Sequence, residues 1–122
     1  MKSKLLGWLL DLLYPPRCML CHRLIEAKSA PVCAKCMEAL PEHDGAERHV
    51  AGAAHCVVTF FYEGTLRDGF LRYKFEGRQW YARQFGAWLA VTVRDKLTGK
   101  FDIVTLVPVS RKPRRTRGYE QA

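Results

Sequence analysis

Cys18-Met19-Leu20-Cys21 and Cys33-Ala34-Lys35-Cys36 decide how this chain folds: two cysteine knuckles of identical spacing, separated by the eleven residues 22–32. A two-residue spacer lets one tight turn aim both sulfurs at a single cation, and two such turns supply the four corners of a tetrahedron. That is the ligand pattern of a structural zinc site. Around the knuckles, residues 12–44 offer only scattered apolar side chains, chiefly Leu20, Leu24, Ile25, Val32, Met37 and Leu40. A segment this short cannot bury enough surface to fold unaided, whereas a four-thiolate zinc site contributes roughly 10 kcal/mol or more. The competing readings are two disulfides or a redox-active Cys-x-x-Cys. The lack of a secretory signal weighs against the first, and thiol exchange has no need of a second matched knuckle.

Outward from the knuckles, the chain has 122 residues, nearly half of them apolar (48%), which marks a globular protein. Its net charge of +8 is concentrated: Arg111, Lys112, Arg114, Arg115 and Arg117 bring five positive charges to residues 111–117 with no acid among them. This run is a candidate anion site. Residues 1–14 open with Lys2 and Lys4 before Leu5, Leu6, Trp8, Leu9, Leu10, Leu12 and Leu13, but Asp11 interrupts the run and no small-residue cleavage site follows. The run is too short to span a bilayer. Leu5, Leu9, Leu12 and Leu13 share a helical face, expected to pack on the rest of the protein, with an interfacial membrane anchor as the alternative. Cysteines read as thiolates point to a reducing compartment and to the cytoplasm.

Four units are expected along the chain: a leader helix over 1–14, a zinc ribbon over 15–44, a linker over 45–54 and an α/β portion over 55–122. Pro15-Pro16 ends the leader, and a short helix over 34–40, stopped by Pro41, closes the ribbon. Residues 56–62 (Cys-Val-Val-Thr-Phe-Phe-Tyr) are β-branched and aromatic and predict a strand ended by Gly64. Leu66, Phe70 and Tyr73 recur at helical spacing up to Gly77, and a longer helix is predicted over 79–97 with Gly99 as its stop. Residues 103–107 (Ile-Val-Thr-Leu-Val) have the apolar texture of a buried parallel strand. Cys56, outside the knuckles, is expected to be a buried structural thiol, and none of His22, His43, His49 and His55 is assigned a role.

Leu12-Leu13-Tyr14-Pro15-Pro16-Arg17-Cys18, the second knuckle, Leu71-Arg72-Tyr73-Lys74-Phe75-Glu76-Gly77, Val107-Pro108-Val109-Ser110 and Arg117-Gly118-Tyr119-Glu120-Gln121-Ala122 follow one another along the sequence. In this order and at these intervals they resemble the ComF/GntX family, across essentially the whole chain. The resemblance implies a four-cysteine zinc ribbon followed by the N-terminal part of a type I phosphoribosyltransferase-like α/β domain, in a protein linked to DNA uptake during natural competence. It implies that Arg111, Lys112, Arg114, Arg115, Arg117 and Gly118 flank a site for phosphoribosyl pyrophosphate, with magnesium, in an intact member. A basic loop leaving the C-terminal end of a parallel strand lies where open α/β sheets bind ligands, and Gly118 would permit close backbone approach. The sequence has Glu120 where the family usually has Asn. It stops before the acidic pair and Thr-Thr-Gly that grip the ribose phosphate in family members. The chain is therefore expected to be an N-terminal or truncated form, inactive alone.

Two other readings compete with this one. A zinc-ribbon module could bind single-stranded DNA or a partner of the uptake machinery through the basic run and the aromatic residues Tyr73, Phe75, Trp80 and Tyr81. Alternatively, only the zinc segment is well folded, and exposed strand edges at 57–62 and 103–107 invite aggregation.

Overall fold

A computed structural model describes residues 12–26, 30–43, 47–108 and 118–119. The leader helix expected over 1–14 lies outside this range except for its last three residues, and so does the basic run from Arg111 to Arg117. Three α-helices organise the described residues: α1 (Ala34–Glu38), α2 (Gly64–Phe75) and α3 (Ala82–Leu97), with a 3-10 turn, Gln79–Tyr81, leading into α3.

Each helix begins and ends for a local reason. Cys33, extended at φ −74° and ψ 156°, is the N-cap of α1, so the second knuckle launches that helix. α2 follows the extended Glu63 (φ −147°), carries Arg72 and Lys74 in its last turn where the helix dipole favours cations, and gives way to Gly77 at φ 69°. Arg94 and Lys96 occupy the last turn of α3, and Gly99 at φ 76° turns the chain away. A left-handed residue at these ends is easiest for glycine.

The buried core consists of Cys18, Met19, Leu20, Val32, Cys36, Leu66, Tyr73 and Tyr81. Five of these lie in the cysteine-knuckle segment and three in α2 and the 3-10 turn, so one cluster joins the two parts of the chain. Leu66, Gly69 and Tyr73 form the buried stripe of α2 at helical spacing. α3 has no fully buried residue; it leans on the core through Phe85 and Trp88. Edge-on and tilted aromatic contacts extend the core outward, Tyr73 to Phe85 at 5.7 Å, Phe85 to Trp88 at 5.9 Å and Trp88 to Phe60 at 5.3 Å. Such pairs add about 0.5–1.5 kcal/mol each beyond burial.

Neither predicted strand forms. Residues 56–62 contribute only an isolated antiparallel bridge, Phe60 to Glu42, supported by Phe61 N–H to Pro41 C=O at 2.8 Å and His43 N–H to Thr59 C=O at 3.3 Å. Residues 103–107 lie exposed, with Ile103, Val104 and Val107 at 80–84% accessibility. A strand is completed by the ladder hydrogen bonds of its neighbours, and among the described residues none lies alongside 103–107. The α/β class expected for 55–122 is thus not confirmed: the regular elements among the described residues of that stretch are helices. Within 47–54, Arg48 N–H reaches Cys56 C=O (2.9 Å) and Ala53 N–H reaches Val50 C=O (3.0 Å), so the segment expected as a linker holds an ordered turn.

Candidate metal centre

The first knuckle is a tight turn shaped by backbone hydrogen bonds. Cys18 N–H donates to Arg23 C=O (2.8 Å) and His22 N–H returns to Cys18 C=O (2.9 Å), while Arg17 and Leu24 form an antiparallel bridge across the base. Reversal of the chain places His22 at φ 62°, a left-handed conformation that costs an L-residue about 1–2 kcal/mol. The second knuckle is built differently, from the first turn of α1: Cys36 and Met37 N–H both donate to Cys33 C=O at 3.0 Å. Met19 N–H to Pro31 C=O (2.9 Å) ties the two together.

These turns bring Cys18, Cys21, Cys33 and Cys36 into one cluster whose sulfurs all lie within 4.8 Å of one another. Cys21 Sγ and Cys33 Sγ are 3.7 Å apart, close to the edge of about 3.8 Å that four zinc–sulfur bonds of about 2.3 Å define in a tetrahedron. No disulfide joins the four clustered cysteines, and their gathering around one point favours the metal reading over two disulfides. The cluster is suited to an anionic sulfur set. Burial alone would raise the Cys18 thiol, but the amides of Cys33, Cys21 and Leu20 and the Cys21 thiol outweigh it and bring it down to about 7. One of these contacts is Cys33 N–H to Cys18 Sγ at 3.4 Å. Cys36 is pushed up to about 12, by burial first and then by its hydrogen bonds with Cys21 and Cys33. A divalent cation at the centre offsets that cost by holding all four sulfurs as thiolates. With four protein ligands no position is open for substrate, which makes the site structural in kind.

His22 is no fifth ligand candidate. It is not among the clustered donor atoms, and burial, followed by the charges of Arg72, Arg17 and Arg78, lowers its pKa. Cys56 is half-buried and stands apart from the cluster.

Two residues that hold the centre in place escaped sequence reasoning. Arg72 Nη2, on α2, donates to the carbonyls of Leu20 and Met19, the latter at 3.3 Å, so a guanidinium clamps the first knuckle from outside. Gly69, one turn earlier, lets the helix lie against that knuckle: a Cβ there would sit 2.7 Å from Leu20 Cδ2 and 3.0 Å from Met19 O. Glycine on the buried stripe of a helical pattern was the available signal, since it marks close backbone approach; nothing local distinguished Arg72. Tyr119 closes the arrangement, its hydroxyl donating to Tyr73 C=O and its ring 5.6 Å from that of Tyr73.

Of the aromatic residues offered as base-stacking candidates, Tyr73 and Tyr81 are core residues, at 4% and 2% accessibility, while Phe75 (62%) and Trp80 (55%) are exposed. Lys74 Nζ stands 5.5 Å over the Phe75 ring. Gly118 has φ 79° and open space around it. Arg111, Lys112, Arg114, Arg115 and Arg117 lie outside the described residues.

Residues 9–48 match the family model of the double zinc ribbon domain. With five cysteines in the sequence, the chain has ligands for one four-thiolate centre of that kind. No curated protein and no solved structure matches the chain. The four-cysteine zinc ribbon is therefore the class that fold and site define, and nothing found identifies a ComF/GntX member. Among the described residues no helix is long and apolar enough to cross a membrane.

Proposed function

We propose that this chain is the zinc-stapled N-terminal portion of a ComF-type, phosphoribosyltransferase-like protein associated with DNA uptake, and that the ribbon serves it as a scaffold. The observation that supports this is convergence. Arg72 and Tyr73, from the central stretch that carries the resemblance, and Tyr119, from its last stretch, meet at the first cysteine knuckle through the Arg72 clamp and the Tyr119–Tyr73 hydrogen bond. Motif residues that are far apart in sequence thus share one structural task. In this reading 1–14, 15–44, 45–54 and 55–122 are the functional units of the chain.

Tyr119, two residues after the basic run in sequence, is anchored to Tyr73 in the last turn of α2. Arg111, Lys112, Arg114, Arg115 and Arg117, with Gly118, then serve as the phosphate site for phosphoribosyl pyrophosphate and magnesium in the longer protein, to which any phosphoribosyl transfer is assigned. The free thiols fit a reducing cytoplasm. A second reading, a module that binds single-stranded DNA or a protein partner without catalysis, is favoured by exposed Phe75 and Trp80 beside Lys74 and Arg78.

Titration calorimetry of the longer protein with phosphoribosyl pyrophosphate and magnesium, beside fluorescence anisotropy of this chain with a labelled oligonucleotide, separates the two. Heat that is lost in the Arg114→Ala, Arg115→Ala double variant supports the first reading. Salt-sensitive DNA binding without such heat, weakened by Trp80→Ala, replaces it with the second.

A further inference from the structure

A cavity of about 250 Å³ opens between the 58–60 segment and α3, sharing no residue with the cysteine cluster. Its apolar wall is Val58, Phe60, Trp88 and Val91. The Thr59 hydroxyl, also in the lining, is buried and has no hydrogen-bond partner. The backbone of Thr59 is held by His43 N–H (3.3 Å), and Thr92 Oγ1, across the cavity, is satisfied by Trp88 C=O (3.3 Å). The orphan group is thus a single hydroxyl fixed against an aromatic wall. A buried hydroxyl is normally paired, so its solitude asks for a ligand atom.

The charge around the cavity runs against the rest of the chain. On a protein of net charge +8 the lining carries two carboxylates, Glu42 and Asp95, against one ammonium, Lys96. Asp95 Oδ1 also meets Arg94 Nε at 2.9 Å. His43 Nε2 accepts from Arg48 Nε at 3.1 Å. With Asp95 shared by Arg94, the carboxylate of Glu42 beside Trp88 and Phe60, whose ring faces attract cations, favours a positively charged aromatic molecule. The volume lies below the roughly 300–1,000 Å³ of drug-sized sites, which limits the occupant to a single small ring system.

We propose that this cavity binds a small aromatic amine in its cationic form, its ring against Trp88 and Phe60, its ammonium facing Glu42 and Asp95, and an N–H donated to Thr59 Oγ1. The site is independent of the zinc centre and of the phosphate reading.

The test is an amide-resolved NMR titration of the zinc-loaded chain with phenethylamine and with 3-phenylpropionate, which offers a similar ring with the opposite charge. Phenethylamine is expected to shift the Thr59 amide and the Trp88 indole N–H with millimolar affinity. Glu42→Gln is expected to weaken it about tenfold, as for one lost charge-assisted contact. Thr59→Val, which keeps the side-chain shape, is expected to weaken it several-fold while leaving the spectrum well dispersed. Absence of shifts at Thr59 and Trp88 up to about 10 mM probe, or affinities for the two probes within about threefold of each other, overturns the proposal.

Discussion

Gly69 and Arg72 act on the same short stretch of backbone by opposite means, one by having no side chain and the other by having the longest fork of donors available. For Gly69→Ala the gain in helix propensity of about 1 kcal/mol is opposed by overpacking of about 1–3 kcal/mol. The unyielding partner is the Met19 carbonyl, 3.0 Å from the added carbon, since the Leu20 methyl can rotate away. The expected outcome is net destabilisation of about 1 kcal/mol in denaturant melts of the zinc-loaded protein. Arg72→Met, which keeps the packing of the stem, leaves the Met19 and Leu20 carbonyls short of a donor and is expected to cost about 1–3 kcal/mol. Arg72→Lys should not restore it, because an ammonium lacks the fork that reaches two carbonyls at once.

Elements differ in how much of their own stability they carry. α2 is held by a buried stripe against the zinc knuckle, while α3, with no fully buried residue, meets the core through Phe85 and Trp88. The segment 103–107 was legible as a strand by composition, since Ile103, Val104 and Val107 have the right side chains, yet it is exposed. Composition reports what a residue would do between neighbours, and a strand exists only when neighbours supply its hydrogen bonds. Such an apolar, unpaired edge should drive self-association. Val104→Lys is therefore expected to leave the denaturation midpoint within about 0.5 kcal/mol while reducing concentration-dependent light scattering, and a loss of stability well beyond that would show that 103–107 packs within the monomer.

At the scale of the whole molecule the zinc centre and the helices form one cooperative body, because Cys18, Met19, Leu20 and Cys36 share a core with Leu66, Tyr73 and Tyr81. A structural zinc contributes about 10–16 kcal/mol of apparent folding energy at neutral pH, more than a domain of this size normally has to spare. Chelation is expected to collapse the helical circular dichroism of α2 and α3 together with the ribbon, and retention of that signal in the metal-free protein would show the parts to be independent. Acid should act in the same direction. Zinc binding displaces the thiol protons of the four cysteines, so the bound state carries fewer protons. Affinity therefore falls as pH falls, about tenfold per unit for each displaced proton, measurable against a competing chelator.

The amino-acid sequence by itself determined the metal centre and the helices. Cys18, Cys21, Cys33 and Cys36 are paired by local spacing within single turns, and Leu66, Phe70 and Tyr73 recur at a period that needs no distant partner to be recognised. Only the tertiary structure decided that the ribbon and α2 share a core, that Arg72 clamps the knuckle, that Tyr73 and Tyr81 are buried while Phe75 and Trp80 are exposed, and that 56–62 forms no more than an isolated bridge while 103–107 lies exposed. Those outcomes depend on which surfaces meet across some fifty residues of chain, as in the Arg72 to Met19 contact. Periodicity and spacing describe each segment against its own axis, whereas burial and strand pairing are properties of two segments at once.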